Sequence, residues 1–309
     1  MKVIFQSLVI IFSITTGVLF TSCDKIDNPY PPTLVIDTTL FPGVWSDYLE
    51  NEYPVFEPIG NQLPNVLLEE YTGHLCNNCP NAAIIAHEIK EGNPERIFVA
   101  SIHAAPGGMS SFQMYNPNDD KFYTNHTNQD GLAYGQRFAS GFNFFGNPQG
   151  TVNRKVVDGK MFDFSGTWQT RVNASLNAGN PKIKLQGAVN FYEESNGGFL
   201  HLRAEKSGGL SANVNAVIYV MQDTLTDWQL MPNNSYNPNY LHKDKHLGSI
   251  DSRPWGRPCF SPEDANGTLT TLDYSFTIPV GVPKESLYFL AYVFDMETYE
   301  IFQVIKLKL

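Results

Sequence analysis

Cysteine and positive charge are both scarce in this sequence. Its 309 residues include only four cysteines, too few for a disulfide scaffold, so each cysteine needs its own explanation. Lysine and arginine total 21 against 31 aspartate and glutamate residues, which leaves no basic footprint for a nucleic acid. Charged residues make up 17% and hydrophobic residues 42% of the chain, which excludes a disordered acidic protein. The length predicts two folded domains with ample apolar core.

Motifs of the common enzyme classes are missing as well. The sequence has no GxGxxG turn, P-loop, HExxH pair or nucleophile elbow, so nucleotide, zinc-peptidase and serine-hydrolase chemistry have little support. No cofactor is expected. No metal site is expected either, because His242 and His246 stand at a finger-like spacing but no CxxC pair lies near them in the sequence.

The first residues have the pattern of a secretory signal. Lys2 supplies an early positive charge, an apolar stretch follows over residues 3–20, and small residues lead to Cys23. A membrane-anchor helix is the less favoured alternative, because polar residues interrupt the stretch and no basic stop-transfer cluster follows it. The residues before Cys23 resemble a bacterial lipobox, which implies that residues 1–22 are removed and that Cys23 is lipidated. The attached acyl chains, palmitate among them, then anchor the mature chain in a membrane.

Residues 23–58 are predicted to be a tether between the lipid and the folded part. The stretch is polar and weakly periodic, and Pro29, Pro31 and Pro32 lie close together. The expected location is the cell envelope, as an outer-membrane lipoprotein on either face of that membrane. Because an exported chain works in an oxidising or unbuffered compartment, a disulfide between its cysteines is chemically plausible.

A CxxC pair stands between predicted elements of the kind that redox sites use. Residues 66–71 predict a short strand, the apolar periodicity of residues 81–91 predicts a helix, and residues 96–102 predict a buried strand. This context makes a redox function of Cys76 and Cys79 a specific hypothesis. At a helix N-terminus the helix dipole and the unpaired N–H groups stabilise a thiolate, which is the nucleophile in exchange. The second cysteine, one turn further in, is suited to resolve a mixed disulfide.

Two stretches of the chain resemble a known family. Residues 66–79 carry Leu-Leu-Glu-Glu-Tyr-Thr-Gly before the CxxC, and residues 145–154 carry Asn-Pro-x-Gly-x-Val-Asn-Arg. Together they resemble the thioredoxin fold and, more closely, the outer membrane protein 28-related lipoproteins of Gram-negative envelopes. The resemblance implies that Pro148 is a cis-proline that faces the CxxC and offers backbone to an extended substrate.

The acidic pair of the first strand is part of the same resemblance. Glu70 stands six positions before Cys76, where thioredoxins place a buried acid that helps to move the proton of the second cysteine. Glu69 and Glu70 must face opposite sides of the strand, so one of the two is expected to point inward. We expect Glu70 to be that residue, and a surface carboxylate is the alternative.

The surroundings of the pair depart from the thioredoxin pattern. Leu75 stands where tryptophan is usual, Asn77 and Asn78 replace Gly-Pro, and no lysine or arginine is adjacent. His74 and His103 are the candidates that tune the pair electrostatically. The second of these is expected at the carboxyl end of its strand, where such strands open toward a site. The alternative is a strand-end histidine that is simply hydrogen-bonded.

A long segment rich in glycine, asparagine and aromatic residues follows His103. Residues 104–129 look irregular and residues 130–139 predict a helix. Because the segment connects the strand of His103 to the second signature, it is expected to cover the CxxC; decoration remote from the pair is the alternative. The next predicted helix has apolar residues at intervals of four and Ser165 as its expected cap. The first domain is expected to end at residue 179.

The hydrophobic period changes to two in the C-terminal part. Six or seven predicted strands, with a hairpin signal at residues 195–198, indicate an antiparallel sandwich of immunoglobulin-like size. The predicted fold is thus an α/β thioredoxin-like domain at residues 59–179 followed by an all-β immunoglobulin-like antiparallel sandwich at residues 180–309. Residues 231–262 are interpreted as a long loop whose aromatic side chains bind a ligand or, more commonly, pack against the first domain. Cys259 is expected to be a free, partly covered thiol.

Two functions from different classes fit these observations. In the first, a lipid-anchored thiol–disulfide oxidoreductase acts on exported protein or peptide thiols: Cys76 and Cys79 exchange electrons, Glu70 moves the proton and Pro148 presents the substrate backbone. In the second, the disulfide is structural and the chain is a non-catalytic outer-membrane binding or assembly lipoprotein. The expected partners are the membrane, through the lipid, and a protein or peptide thiol, with no nucleic acid. A buried Cys76 with a low reduction potential favours the second function.

Overall fold

The structure, a computed structural model, describes residues 36–309 of the chain. The predicted signal sequence, Cys23 and the first part of the predicted tether lie outside the described residues. Within that range the strands are β1 Val66–Thr72, β2 Ile97–His103, β3 Gln149–Val152, β4 Ile183–Tyr192, β5 Gly197–Lys206, β6 Val214–Leu230, β7 Tyr236–Ser249, β8 Arg257–Phe260, β9 Leu269–Thr277, β10 Leu287–Asp295 and β11 Ile301–Lys308. The helices of the same range are α1 Trp45–Asp47, α2 Cys79–Glu91, α3 Gln129–Phe138 and α4 Trp168–Leu176.

Eight of the strands form one mixed sheet at the centre. Its order is β11-β10-β6-β7-β2-β1-β3, and β8 pairs with β6 beside this path. β1 and β2 run parallel, and β3 runs antiparallel to β1. β7 joins β2 in parallel through the register pair of Ser101 and Lys245. The strands β4, β5 and β9 form a separate antiparallel sheet. The fold is therefore mixed α/β, with a central mixed sheet and an antiparallel sheet.

The central sheet crosses the expected domain boundary between residues 179 and 180. β1, β2 and β3 lie before this boundary in the sequence, and β6, β7, β8, β10 and β11 lie after it. The strands expected to make a separate sandwich are thus divided between the two sheets. Residues 36–309 form one compact unit.

Both faces of the central sheet are covered, and alternate residues of its strands supply different cores. On one face, Leu67 and Tyr71 of β1 pack with Tyr134 and Phe138 of α3. On the other face, α2 and α4 cover β1 and β2, and the antiparallel sheet covers β6 and β10. Every residue of β1 and β2 is consequently buried, which is typical of strands covered on both sides.

Residues 36–58 pack against the antiparallel sheet, so the tether prediction is wrong for this part of the segment. Tyr48 is fully buried against Phe199 of β5. Its hydroxyl lies 2.5 Å from Nε2 of His201, and Nδ1 of that histidine lies 2.7 Å from the carboxylate of Asp273. Aromatic residues of this segment thus find apolar and polar partners on a sheet that is distant in the sequence. The segment is held by a Tyr–His–Asp chain of hydrogen bonds, in which the tyrosine and the histidine are buried and the aspartate is partly exposed.

The interpretation of residues 231–262 as a long loop is also wrong. β6 and β7 form a long hairpin whose turn spans residues 231–235, and β8 follows within the same range. Asparagine and proline hide the strand character of β7, because its conformation is imposed by pairing with β6. The distal part of this hairpin, residues 224–242, is named the β6–β7 arm.

The predicted helices agree with α2, α3 and α4 to within a few residues, but the predicted cap does not. Ser165 begins a 3-10 turn, Ser165–Thr167, and its side chain caps neither that turn nor α4. The hairpin signal at residues 195–198 is confirmed by the turn between β4 and β5. Within residues 36–309, none of the helices combines the length and apolar character that a membrane crossing needs.

Candidate functional site

The CxxC pair is a disulfide at the start of α2. β1 ends at Thr72, a short turn follows, and the helix begins at Cys79. The backbone N–H of Cys76 donates to the carbonyl of Gly73 at 3.0 Å, and that of Cys79 donates to the carbonyl of Cys76 at 3.2 Å. Only 1% of the surface of Cys76 and 2% of that of Cys79 is exposed. The predicted strand–CxxC–helix–strand order is confirmed, and both sulfurs are buried within it.

The tip of the β6–β7 arm covers the disulfide from one side. The side-chain amide of Gln229 donates to the carbonyl of Cys76 at 3.1 Å, and the Leu230 N–H donates to the carbonyl of His74 at 2.8 Å. The amide of Asn77, between the two cysteines, donates to the side chain of Asn234 at 3.2 Å. The arm therefore holds the residues before, at and after Cys76.

The irregular segment at residues 104–128, named the cover segment, contacts the same turn. The Leu75 N–H donates to the carbonyl of Phe112 at 3.0 Å, and Nε2 of His74 lies 2.7 Å from the carbonyl oxygen of Met114. Glycine is required at position 73, because a Cβ there would lie 2.4 Å from the carbonyl oxygen of Phe112. The expectation that this segment covers the CxxC turn is confirmed.

Pro148 lies beside the end of β1. The Asn147–Pro148 peptide bond is cis, as the resemblance implies. Gln149, the next residue, pairs with Tyr71 of β1. Gln113 of the cover segment links the end of β1 to the residue before Pro148. Its side-chain amide donates to the carbonyl of Thr72 at 2.7 Å and to the side chain of Asn147 at 3.1 Å. The role of Pro148 in presenting backbone to a substrate remains a prediction.

Both acidic residues of β1 are buried, one on each face of the sheet. Glu70 faces α2, as expected, and accepts a hydrogen bond from the hydroxyl of Ser101 at 2.9 Å. Burial raises the pKa of Glu70 to about 7, and the hydrogen bond from Ser101 opposes that rise. Glu69 faces the opposite core and pairs with Arg154. The expectation of a single inward carboxylate is wrong because β1 has no solvent-facing side.

A cavity of about 550 Å³ lies between α2 and β7, next to Cys79. Glu70 borders it from β1, and Lys245 borders it from β7. Burial lowers the pKa of Lys245 to about 8. The cavity also meets other polar side chains of α2, β2 and β7: His87, Ser101, His103 and His242. The second cysteine and the buried acid of the predicted site therefore share one cavity.

His74 and His103, the predicted tuning residues, lie beside the disulfide with two further histidines, of which only His126 was not singled out in the sequence. The partners are His126 of the cover segment and His242 of β7. Burial lowers the pKa of His103 well below its ordinary range, and the neighbouring imidazoles lower it further. No local sequence pattern predicts the position of His126, because the residues around it form no regular helix or strand pattern. These four residues are named the histidine cluster.

The remaining residues singled out in the sequence lie elsewhere. His246 does not join His242; its ring packs on Tyr219, with the ring centroids 4.2 Å apart. Cys259 is a free thiol, as predicted, and it is more deeply buried than expected. Burial raises the pKa of Cys259 to about 12, which keeps it protonated and unreactive.

These features define a class: a mixed α/β protein with a covered CxxC disulfide at a helix start. No protein-family model matches the chain, and no curated protein matches it significantly. Among solved structures, HBP35 of Porphyromonas gingivalis matches with a TM-score of 0.59 and 17% identity, over 81% of this chain and 77% of that one. At this identity the likeness shows a shared fold alone.

Two further solved structures match with lower scores. A domain of the outer membrane lipoprotein Omp28 from Porphyromonas gingivalis has a TM-score of 0.29 and 16% identity, over 42% of this chain and 88% of that one. A protein from Agrobacterium tumefaciens has a TM-score of 0.42 and 14% identity, over 81% of this chain and 96% of that one. At these scores neither match carries an argument about the fold.

Proposed function

We propose that this protein is a lipid-anchored thiol–disulfide exchange protein of the cell envelope, with Cys76 and Cys79 as its redox pair. In this proposal β1, α2 and β2 belong to a thioredoxin-like unit, and the later strands make an immunoglobulin-like sandwich that shares its sheet. Cys23 carries the lipid and anchors the chain in the outer membrane. The substrate is a thiol or disulfide of an exported protein or peptide.

The observation that carries the proposal is the cavity shared by Cys79 and Glu70. A dithiol site needs a group that gives a proton to the second sulfur when the disulfide opens and accepts it when the disulfide forms. Glu70 borders the same cavity as Cys79 and is shielded from bulk water. Its pKa of about 7 lets the carboxyl group hold or release a proton near neutral pH.

The exchange has a balanced course. A substrate thiolate attacks the Cys76 sulfur, the Cys76–Cys79 bond breaks, and a mixed disulfide joins the substrate to Cys76. The Cys79 sulfur leaves with the bonding electron pair and takes a proton from Glu70. A second substrate thiolate then attacks the substrate sulfur of the mixed disulfide and releases Cys76 as a thiolate. The two protons that the substrate thiols gave up to become thiolates pass through water to Cys76 and back to Glu70. Two substrate thiols have lost two electrons and two protons, the protein holds a dithiol, and the reverse course oxidises the protein.

Access to Cys76 requires the β6–β7 arm to move. Attack along the S–S axis needs an open approach to the sulfur, and Cys76 is buried beneath Gln229 and Leu230. The arm is held by hydrogen bonds at its tip, by the contact of Asp227 with His126, and by Trp228 and Tyr236 packing on Phe122. Because these contacts lie at the end of a hairpin, local opening costs less than unfolding. The proposal therefore includes a covered resting state and an uncovered reactive state.

The test is the reduction potential of the Cys76–Cys79 couple together with turnover of a model disulfide. We expect the potential to lie in the range of exchanging dithiols and the oxidised protein to accept electrons from a small dithiol. Cys76→Ser should abolish both properties, and Cys259→Ser, which removes the free buried thiol, should preserve them. A potential below about −300 mV without turnover would overturn the proposal, because such disulfides resist reduction by the glutathione pool.

Burial of Cys76 favours a second candidate function. In that alternative the disulfide fixes the turn between β1 and α2, and the protein is a non-catalytic binding or assembly lipoprotein of the outer membrane. The β6–β7 arm and the cover segment then present a fixed surface to a partner. An envelope complex that is recovered equally with wild type and with Cys76→Ser would favour this function over exchange.

A further inference from the structure

Four of the seven histidines of the chain meet next to the disulfide. The ring centroids of His103 and His126 are 4.9 Å apart, those of His126 and His242 are 4.9 Å apart, and those of His103 and His242 are 5.7 Å apart. The ring of His74 lies 5.1 Å from that of His126. All four side chains are buried. The turn after β1, the end of β2, the cover segment and β7 each supply one imidazole.

Three of these rings have one nitrogen committed to an oxygen acceptor. Nε2 of His74 lies 2.7 Å from a backbone carbonyl oxygen, and Nε2 of His242 lies 3.3 Å from another. Nε2 of His126 lies 3.2 Å from the carboxylate of Asp227. Since these oxygens accept and do not donate, Nε2 carries the proton in each neutral ring and Nδ1 keeps a lone pair. Nδ1 of His126 is buried and has no hydrogen-bond partner in the described part of the chain, and the same holds for His103.

We propose that the histidine cluster binds one divalent first-row transition-metal ion that prefers imidazole ligands, with Zn²⁺ as the representative ion. Metal-binding histidines typically donate their second ring N–H to a carboxylate or a carbonyl group, which is the arrangement of His74, His126 and His242. Two imidazoles on one tetrahedral ion have ring centroids about 5 Å apart, because each metal–nitrogen bond is about 2.0–2.1 Å long. The spacings of His103, His126 and His242, 4.9 to 5.7 Å, agree with this value, whereas the rings of His74 and His103 are 6.4 Å apart.

Binding requires the rings to turn toward one another. Within residues 36–309, no group of three His, Cys, Asp or Glu side chains could hold a metal ion in its present placement. The proposal therefore includes a tilt of the imidazole rings, whose centroids already lie at 4.9 to 5.7 Å in His103, His126 and His242. Asp227 is a positioning residue in this proposal, since it orients the ring of His126 and leaves the ligand role to Nδ1.

An ion at this place would join β2, the cover segment and β7 through single residues of each. These are the parts that surround the CxxC turn, so the metal holds the cover in its closed arrangement. The proposal does not rest on the exchange chemistry, because it concerns nitrogen ligands and applies to the oxidised protein, whose only free thiol in the described range is Cys259. Since His242 belongs to the β6–β7 arm, a bound ion would oppose the movement of the arm that exchange requires.

The test is metal titration of the purified full chain in its oxidised form after treatment with a chelator. Zn²⁺ binding is followed by calorimetry, and Co²⁺ serves as the spectroscopic probe of geometry and ligand type. We expect one ion per chain and an intense tetrahedral Co²⁺ spectrum without a thiolate charge-transfer band. His126→Gln and His242→Gln should each weaken Zn²⁺ binding by at least about tenfold, and Asp227→Asn by about tenfold.

His87→Gln is the matched control, because His87 lines the neighbouring cavity on α2 and stands outside the histidine cluster. It should bind Zn²⁺ as wild type does. The proposal is overturned if wild type binds no Zn²⁺, if the cluster variants bind as tightly as wild type, or if His87→Gln weakens binding equally. Circular dichroism checks that each variant is folded. Should a cluster variant fail to fold, the wild-type Co²⁺ spectrum decides, and a weak octahedral spectrum overturns the proposal.

Discussion

Glu69 and Arg154 form an ion pair in which neither side chain has any exposed surface. The guanidinium donates two hydrogen bonds to the carboxylate, at 2.8 and 2.7 Å. The hydroxyl of Tyr219 donates to the same carboxylate at 2.7 Å, and the ring of Tyr134 lies 4.7 Å from the guanidinium carbon. Arg154 closes the second sequence signature and Glu69 stands in the first. The two distant signatures are therefore two halves of one buried contact.

We expect Glu69→Gln to destabilise the protein by about 3–5 kcal/mol, because it leaves the Arg154 charge buried without a counter-charge. The free energy of unfolding in urea measures this loss. Lys155→Gln, which breaks the exposed pair of Lys155 with Glu300, is the control and should cost less than about 1 kcal/mol. Equal losses in the two variants would show that the buried pair contributes no more to the free energy of unfolding than the exposed pair does.

The stability of the protein should depend on the ionisation of Glu70. Its pKa is raised from 4.5 in the unfolded chain to about 7 in the fold, so the native state holds the proton more tightly. The resulting stability is fully present below pH 4.5 and is lost as the pH rises through 7. Glu70→Gln should therefore gain roughly 3–4 kcal/mol relative to wild type between pH 4 and pH 8, since one pKa unit is about 1.4 kcal/mol and the pKa rises by about 2.5.

Ser101→Ala provides the companion measurement for Glu70. The hydrogen bond from Ser101 lowers the pKa of Glu70, so its removal should raise that pKa and move the loss of stability to higher pH. Urea unfolding at several pH values follows both variants. An identical pH dependence in wild type and Glu70→Gln would contradict the assignment.

The hydrogen-bond chain at Tyr48 should fix the N-terminal segment to the antiparallel sheet. Tyr48→Phe removes the hydroxyl beside His201 and leaves a buried ring nitrogen unsatisfied, at an expected cost of about 1–3 kcal/mol. Limited proteolysis should then cut residues 36–58 faster than in wild type. Tyr123→Phe, which alters an exposed tyrosine, should change neither stability nor cleavage. Unchanged cleavage in Tyr48→Phe would mean that apolar packing alone holds the segment.

Loosening the tip of the β6–β7 arm should speed the reduction of the disulfide. Gln229→Ala removes the hydrogen bond to the carbonyl of Cys76 and should raise the rate of reduction by a small dithiol about tenfold, as expected for the loss of roughly 1.4 kcal/mol of cover. Gln169→Ala, on the exposed face of α4, is the control. A rate that does not change in Gln229→Ala would indicate that the disulfide is reached without movement of the arm.

The sequence predicted the elements whose signals are local. α2 follows from its apolar periodicity and from Pro80 in its first turn, and β1 and β2 follow from short apolar runs beside it. The position of Cys76 and Cys79 at the helix start was predictable for the same reason. The resemblance to a family supplied the cis form of Pro148, which periodicity cannot reveal.

The parts that were missed depend on distant partners. β7 contains one proline and two asparagines, and it is a strand because β6 pairs with it along most of its length. Glu69 looked like the exposed member of an acidic pair until Arg154, 85 positions later, supplied its charge partner. His126 lies in irregular sequence and reaches the histidine cluster only through tertiary packing. Contacts between residues so far apart produce no periodic pattern in the sequence.

Gln229 reaches Cys76 across 153 positions of sequence. Chains are synthesised from the N-terminus, so the two cysteines and α2 exist well before the arm has been made. During that interval both thiols lack the cover that the arm gives them in the finished fold. The two cysteines can therefore react with small oxidants before the arm is made, and the completed arm then covers them.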